Sequence, residues 1–356
     1  MDLKIIKTKM PKELPDDSTL GFGQMFTDHM FNMDYSPDKG WYDARIEPYA
    51  PIMMDPSTMV LHYGQTIFEG LKAYRTSDEK IQLFRPERNM ARLNRSAGFV
   101  CIPEIDEAFV LHALKKLVAV DKEWVPRAPE TSLYIRPAIV AMDHYLGVRP
   151  SHTYRLFIML SPVGAYFSEG FNPVSIWVSD EHVRTVRGGL GEAKTAANYA
   201  ASLYAAQVAR KAGYTQVLWL DGIEQRHIEE VGTMNIMFVI NGGLVTPPLG
   251  GSILAGITRD SILTLAREWN IPAAERPITI DELMAAHEDG SLQEIFGAGT
   301  AAVVSPVSHL AWKDKVLTIG DGRVGPMAQR FYKAITDIQY GRADDPFGWI
   351  VPVEEV

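Results

Sequence analysis

The chain has 356 residues, 46% of them apolar and 22% charged, which is enough apolar mass for two ordinary domains, each with its own core. Its formal charge of −9 excludes the dense Lys and Arg surface that phosphate backbones require, so nucleic acid is not an expected partner. The single cysteine, Cys101, excludes an intrachain disulfide and a cysteine-built zinc site, and no run reaches the ~20 apolar residues that span a bilayer. The opening residues carry neither the apolar core of a signal peptide nor an Arg- and Ser-rich presequence, so a soluble, cytoplasmic chain without a membrane partner is expected.

In chain order, Met59–Tyr63 and Phe68–Tyr74 read as strands, and a polar turn at Thr76–Lys80 leads into a strand at Ile81–Phe84. Pro86 opens a helix in the first turn, where its missing N–H costs little. Phe109, Val110, Leu114, Leu117 and Val118 recur at helical spacing and predict a helix over Glu104–Val120. Leu133–Met142 and Tyr154–Leu160 read as buried strands. Pro162–Pro173, with Gly164 and Gly170 among polar residues, reads as an interdomain connection.

Beyond it come a strand at Val174–Val178, a Gly-rich loop at Arg184–Gly191 and an Ala-rich helix over Ala196–Ala212, closed by Gly213. Strands follow at Gln216–Leu220, Met234–Ile240 and Leu244–Thr246, the last two joined by an Asn-Gly-Gly turn. Thr258–Trp269 and Ile280–His287 are expected helices, the second opening with a capping box from Thr279 to Glu282. A strand at Gln293–Phe296 runs into a small-residue turn, Gly297–Ala301, and Met327–Tyr340 forms the last amphipathic helix. Strands and helices mix without regular alternation, and no Gly-rich dinucleotide fingerprint follows a strand. The expectation is an α+β fold: a smaller N-terminal domain (1–163), an interdomain loop (164–175) and a larger C-terminal domain (176–356).

Several positions could carry chemistry, each with an ordinary structural alternative. Gly256-Ile-Thr258 precedes a helix, whose first N–H groups and dipole favour an anion; a plain helix start reads the same way. Gly297–Ala302 has almost no side-chain bulk and a hydroxyl at Thr300, which suits either close backbone approach by a ligand or a tight core turn. Lys194 sits among Gly, Ala and Thr, without long neighbours to pair it, and a buried lysine amine there could form a covalent link to a carbonyl. Glu230 follows a strand and is either a buried carboxylate or a loop charge. Arg85 ends a strand and could bind an anion. Arg136, two residues after Tyr134, is a charge in an apolar strand and needs a partner, from the protein or from a ligand.

Taken together, these segments resemble the branched-chain aminotransferases among the fold-type-IV pyridoxal-phosphate enzymes. The runs that carry the resemblance are Phe26-Thr-Asp-His-Met30, Leu61-His-Tyr-Gly-Gln-Thr-Ile-Phe-Glu-Gly70, Leu83-Phe-Arg-Pro86, Ser132-Leu-Tyr-Ile-Arg-Pro137 and Pro162-Val-Gly-Ala-Tyr-Phe167. Further on come Gly191-Glu-Ala-Lys-Thr-Ala-Ala-Asn-Tyr199, Glu230-Val-Gly-Thr-Met-Asn235, Gly256-Ile-Thr-Arg259 and Gly299-Thr-Ala-Ala302. They fall in family order over nearly the whole chain. The resemblance implies two α/β domains and pyridoxal 5'-phosphate (PLP) carried by Lys194, which would also move the substrate proton. Glu230 would pair with the pyridine nitrogen and Tyr199 with the phenolic oxygen. Arg85, Ile257, Thr258 and Thr300 would hold the phosphate.

It also implies a substrate pocket walled by Phe26, Tyr63, Phe68, Tyr134, Tyr166 and Thr233. The N–H groups of Ala301 and Ala302 would take the α-carboxylate, and Arg136, with Tyr63 near it, would help recognise carboxylates. The implied reaction is ping-pong exchange of amine between L-leucine, L-isoleucine or L-valine and 2-oxoglutarate, in a homodimer. Mammalian relatives carry a Cys-x-x-Cys pair after the Gly-Thr turn; here Ala302 and Ser305 stand there, which excludes a thiol switch and resembles the bacterial, longer subgroup. A D-amino-acid aminotransferase or aminodeoxychorismate lyase shares the fold and would keep Lys194 and Glu230. The Phe26–Met30 and Gly164–Phe167 runs point to the branched-chain type.

Overall fold

In the computed structural model, which describes residues 1–164 and 171–354, apolar side chains gather in two main cores, each packed against its own sheet. The first unit comprises Met1–Tyr166, Ala193–Ala196 and Asp337–Val356; the second comprises Phe167–Glu192 and Ala197–Thr336. The sequence predicts a single crossing near 164–175, whereas the chain here returns twice to the first unit. Backbone pairing accounts for the short return: the Phe68 N–H donates to the Lys194 carbonyl at 3.0 Å, and Thr195 bridges Ile67. Residues 165–170 lie outside the described residues, and with them half of the expected interdomain loop.

In the first unit the strands are β1 (Lys4–Ile5), β2 (His29–Ser36), β3 (Gly40–Pro48), β4 (Thr66–Phe68), β5 (Leu71–Arg75), β6 (Ile81–Phe84), β7 (Ser132–Ala141) and β8 (Tyr154–Val163), with helices α1 (Met59–Tyr63), α2 (Pro86–Phe99) and α3 (Glu107–Val120). The sheet order is β1-β3-β2-β8-β7-β5-β6, with β4 beside β7. Phe31, Met33, Ile46, Leu83, Leu133, Ile135 and Leu156 from these strands are buried against Leu93, Leu114 and Leu117 of α2 and α3. The α3 helix starts later than its periodicity suggests because the Asp106 side chain accepts the Phe109 N–H at 3.0 Å and fixes the cap.

One expectation is corrected here, and one hairpin is added. Met59–Tyr63 is one helical turn rather than a strand, closed by Gly64 at φ 60°, a conformation that glycine adopts without strain. The hairpin of β2 and β3 is absent from the sequence reading, since Asn32, Asp34 and Asp43 interrupt its apolar alternation; ion pairs from Arg45 to Asp34, Asp43 and Glu47 accommodate those charges.

The second unit contains β9 (Val174–Ser179), α4 (Ala196–Lys211, from its second residue), β10 (Gln216–Leu220), β11 (Ile228–Val231), β12 (Met234–Ile240), β13 (Gly243–Thr246), α5 (Ile257–Glu268), β14 (Ala273–Glu275), α6 (Ile280–Glu288), β15 (Leu292–Gly299), β16 (Val303–Trp312), β17 (Lys315–Thr318) and most of α7 (Pro326–Gln339). After α7 the chain ends on β18 (Ile350–Pro352), which pairs with β6 in the first unit. The order β11-β10-β9-β16-β15-β12 closes on itself, because β11 also pairs with β12. That closure brings Glu230 opposite Asn235 across the β11–β12 hairpin. The expected Asn-Gly-Gly turn is present, with Asn241 and Gly242 both at positive φ.

Candidate active site

Lys194 belongs to the short return into the first unit, and its backbone is held on both sides. Its N–H donates to Ser96 Oγ at 2.9 Å, and Thr195 Oγ1 donates to the Thr66 carbonyl at 2.7 Å. The side chain is half-buried, with Nζ 4.9 Å from the centre of the Phe68 ring. The Arg136 guanidinium stands over the same ring at 4.6 Å, and its Nη2 donates to the Tyr134 hydroxyl at 3.0 Å. Arg136 Nε is buried with no hydrogen-bond partner among the described residues. Phe68, Tyr134, Arg136 and Lys194 therefore form one cluster.

Close enough to Lys194 to feel its charge is a carboxylate that sequence reasoning missed. Glu69 is fully buried and accepts from Arg92 Nε at 2.7 Å, Arg92 Nη2 at 2.9 Å and Asn89 Nδ2 at 2.7 Å. Burial alone would raise its pKa, but the Arg92 charge and hydrogen bonds, together with Lys194 and Asn89, hold it below the ordinary value. Asn89, Arg92 and Ser96 lie at spacings of three and four on α2, so one helix face supplies all three contacts. The available signal was a glutamate inside the apolar run around Ile67–Ala73, which had to find a partner.

The remaining residues predicted for this unit are placed elsewhere in it. Phe26 stacks on Tyr49 with ring centres 5.2 Å apart. Tyr63 is 40% exposed, and its hydroxyl donates to the Leu146 carbonyl, so no hydrogen bond or ring contact among the described residues brings it to Arg136. Arg85 is buried at the start of α2 with φ 51°, its N–H donating to the Trp349 carbonyl at 2.7 Å and its guanidinium 5.1 Å from the Trp349 ring. Tyr166 lies outside the described residues.

In the second unit the centre is Glu230, 4% exposed. Asn235 Nδ2 donates to its Oε1 at 3.0 Å and also to the Leu254 carbonyl at 2.9 Å. Arg184 Nε lies 2.5 Å from its Oε2, an ion-pair contact and not an aligned hydrogen bond, while Arg184 Nη2 donates to the Ser252 and Gly191 carbonyls at 2.7 and 3.1 Å. Arg184 and Asn235 are further residues the sequence reading passed over; a loop arginine and a strand asparagine carry no local signature of a distant carboxylate. A small cavity is lined by Arg184, Asn198, Tyr199, Ser202, Glu230, Gly232, Thr233 and Leu254, so Tyr199, Glu230 and Thr233 share one lining. The neighbouring Glu229 points its Oε1 to the Ser252 hydroxyl, and burial raises its pKa against that bond and the Arg184 charge.

The two anion-binding candidates differ in kind. Helix α5 opens at Gly256 with no side-chain cap, and Ile257 and Thr258 form its first turn. A Cβ at Gly256 would stand 1.9 Å from Asn235 Oδ1, so this glycine is required by the support of Glu230. Gly297 to Gly299 complete β15 and are not a turn; the turn itself is Thr300-Ala301-Ala302, because Gly299 pairs with Val303. The two glycines make room for a side chain: a Cβ at Gly297 would meet Met234 Cε at 2.8 Å, and one at Gly299 would meet Met234 Cγ at 3.0 Å. Val303 closes the turn at φ 61°, a strained conformation for a β-branched residue.

This donor set fits PLP. A buried carboxylate suits a protonated ring nitrogen, a phenol suits the ring oxygen, and an uncapped helix start suits a phosphate. Separately, the first unit offers in Lys194 an amine of the type that could link to the PLP carbonyl.

Comparisons with known proteins agree. The amino-transferase class IV family profile matches residues 66–310. Branched-chain-amino-acid aminotransferase 2 of Bacillus subtilis (strain 168) is 58% identical over 351 residues, covering 99% of this chain and 96% of that protein. Among solved structures, the branched-chain amino acid aminotransferase of Escherichia coli superposes with a TM-score of 0.77 at 28% identity, over 92% of this chain and 99% of that one. The branched-chain aminotransferase of Thermoproteus uzoniensis, a thermophilic archaeon, solved with norvaline, gives 0.75 at 27% identity, over 92% and 100%.

Proposed function

The chain belongs to the amino-transferase class IV family, and from that premise we propose that Lys194 carries its PLP, that Glu230 holds the ring nitrogen and that Arg136 recognises substrate carboxylate. The enzyme transfers amine from L-leucine, L-isoleucine or L-valine to 2-oxoglutarate, giving branched-chain 2-oxo acids and L-glutamate. PLP, when bound, supplies an electron sink for negative charge at the substrate α-carbon.

The observation that carries the residue roles is the burial of Glu230 between Arg184 and Asn235. A carboxylate gripped by a guanidinium and an amide stays anionic in a low-dielectric site, which is the state that keeps a pyridine nitrogen protonated. Tyr199 lines the same cavity and serves the ring oxygen. Thr300 and the first turn of α5, Ile257 and Thr258, serve the phosphate, joined by Arg85. Lys194, its main chain fixed by Ser96 and Phe68, moves the proton at the substrate α-carbon as general base and acid.

Phe26, Phe68, Tyr63, Tyr134, Tyr166 and Thr233 wall the substrate pocket, and the Ala301 and Ala302 N–H groups take the α-carboxylate. The Nε of Arg136, which has no hydrogen-bond partner among the described residues, suits the second carboxylate of glutamate, which an aliphatic side chain does not need. We further read a homodimer, supported by apolar side chains left exposed on adjoining segments of the first unit: Leu61, Tyr63, Tyr145, Leu146 and Val148. A cytosolic location is supported by the single, unpaired thiol of Cys101. No helix among the described residues is long and apolar enough to cross a membrane.

Assaying L-leucine, D-alanine and aminodeoxychorismate with one preparation tests the reading, with turnover expected only for L-leucine. Lys194→Ala is expected to abolish transamination and the yellow colour of the loaded protein together. Transamination surviving in that variant removes Lys194 from its role.

A further inference from the structure

Of the run Phe26-Thr-Asp-His-Met30, the reaction uses at most Phe26, yet Asp28 and His29 are more deeply engaged in the fold. His29 is 5% exposed and its Nε2 accepts the Thr8 N–H at 2.8 Å. A backbone N–H can only donate, so Nε2 carries no proton and Nδ1 does, donating to Asp121 Oδ1 at 2.6 Å. Asp121 is itself 3% exposed, and its Oδ2 accepts the His29 N–H at 3.0 Å. Asp28 takes up the next stretch of the same segment: Oδ1 accepts the Lys12 N–H at 2.8 Å, while Oδ2 accepts Trp124 Nε1 at 3.0 Å.

Residues 9–14 are otherwise exposed, so a segment with no core of its own is tied at two backbone N–H groups by two side chains of one motif. The long side chain of Lys12 turns back to that motif. Its ammonium donates to the Phe26 carbonyl at 3.0 Å and the Thr27 carbonyl at 2.8 Å, and lies 4.9 Å over the ring of Tyr49, the ring on which Phe26 stacks.

We propose that the segment Thr8–Lys12 is a strap that positions Phe26 for substrate recognition, with His29 and Asp28 as its sockets and Lys12 as the positioning residue. The proposal rests on the reading of Phe26 as a wall of the substrate pocket. The physical basis is that a wall residue on an exposed loop selects a side chain only if its own conformation is restricted beforehand. The strap provides that restriction from outside the pocket: two charge-assisted bonds to the carbonyls of Phe26 and Thr27, and a cation stacked on the ring partner of Phe26.

Full-length Lys12→Met and Thr8→Pro variants test this, the second removing the N–H that His29 accepts together with the Thr8 hydroxyl that bonds Met10 within the strap. Amide hydrogen exchange over residues 26–29 is measured alongside steady-state kinetics for L-leucine, with Phe26→Ala as reference. Both strap variants are expected to speed exchange at these amides at least about tenfold and to raise KM for L-leucine about fivefold with kcat within about twofold. Unchanged exchange in both variants overturns the strap, whatever the kinetics. Faster exchange with unchanged KM, while Phe26→Ala raises KM, overturns its positioning role. An unchanged KM in Phe26→Ala overturns the reading of Phe26 itself, and the proposal with it; the exchange data distinguish that failure from the first.

Discussion

Replacing Gly256 by alanine adds one methyl group at the place where the helix start proposed to anchor the cofactor phosphate meets the support of Glu230. Gly256 has φ −73° and ψ 132°, which alanine adopts freely, so the backbone contributes nothing to the expected effect. The new Cβ would lie 1.9 Å from Asn235 Oδ1 and 3.3 Å from Arg259 Cβ. Ordinary contact needs more than ~3 Å, so the Asn235 amide must retreat by over ~1 Å. That takes Nδ2 away from both acceptors, Glu230 at 3.0 Å and the Leu254 carbonyl at 2.9 Å. The hydrogen bond to the buried carboxylate is worth about 2 kcal/mol, the neutral one about 1, and the overpacking adds about 1 to 2. A destabilisation of ~4 kcal/mol is expected in urea unfolding of the cofactor-free protein, with cofactor affinity at least about tenfold weaker in absorbance titrations. A cycle with Asn235→Ala isolates the cause: the methyl group is expected to be nearly neutral once the amide is gone. Gly256→Ala within about 0.5 kcal/mol of the wild type, with unchanged affinity, refutes the reasoning.

Three other perturbations follow from the same structure. Arg184→Met leaves Glu230 buried without its cation and is expected to cost about 3–5 kcal/mol and to weaken cofactor binding, as read by urea unfolding and absorbance titration; a change below about 1 kcal/mol would contradict the ion pair. Glu69→Gln strands the buried guanidinium of Arg92 at a similar cost, about 3–5 kcal/mol, whereas Glu69→Leu with Arg92→Leu is expected to recover most of it. Lys72 is 8% exposed, and burial pushes its ammonium from 10.5 down to about 8. Since the folded value lies below the unfolded one, the unfolded chain binds more protons between them, and this contribution to stability climbs as pH rises. The gap between wild type and Lys72→Met is therefore expected to move by about 3 kcal/mol in favour of the wild type from about pH 7 to about pH 10.5; a gap independent of pH contradicts the burial of that amine.

What the sequence made legible was whatever is decided within a turn or two of chain. The Pro86 helix start, the Thr279 cap that accepts the Glu282 N–H at 3.0 Å, and Gly213 at φ 88° after the Ala-rich helix are local decisions. Met59–Tyr63 misled because its composition suits a strand, and only Gly64 and the bond from the Gly64 N–H to the Val60 carbonyl close it as a helical turn. The candidate site was legible as a set of residue types in order, but its supports were not. Arg184, Asn235 and Glu69 act through partners 46, 5 and 23 residues away, and nothing near them in sequence names those partners. Gly297 and Gly299 illustrate the converse: a small-residue run that read equally as room for a ligand or as a tight core turn leaves room for the Met234 side chain, which no local signal names.

The central claim is that Lys194 carries the cofactor, and borohydride reduction of the loaded protein followed by peptide mapping tests it most directly. Reduction fixes PLP to whichever amine holds it. A phosphopyridoxyl group is expected on the peptide containing Lys194 and on no other lysine. The modification on Lys72, a second lysine withdrawn from solvent, or on surface lysines alone, would contradict it.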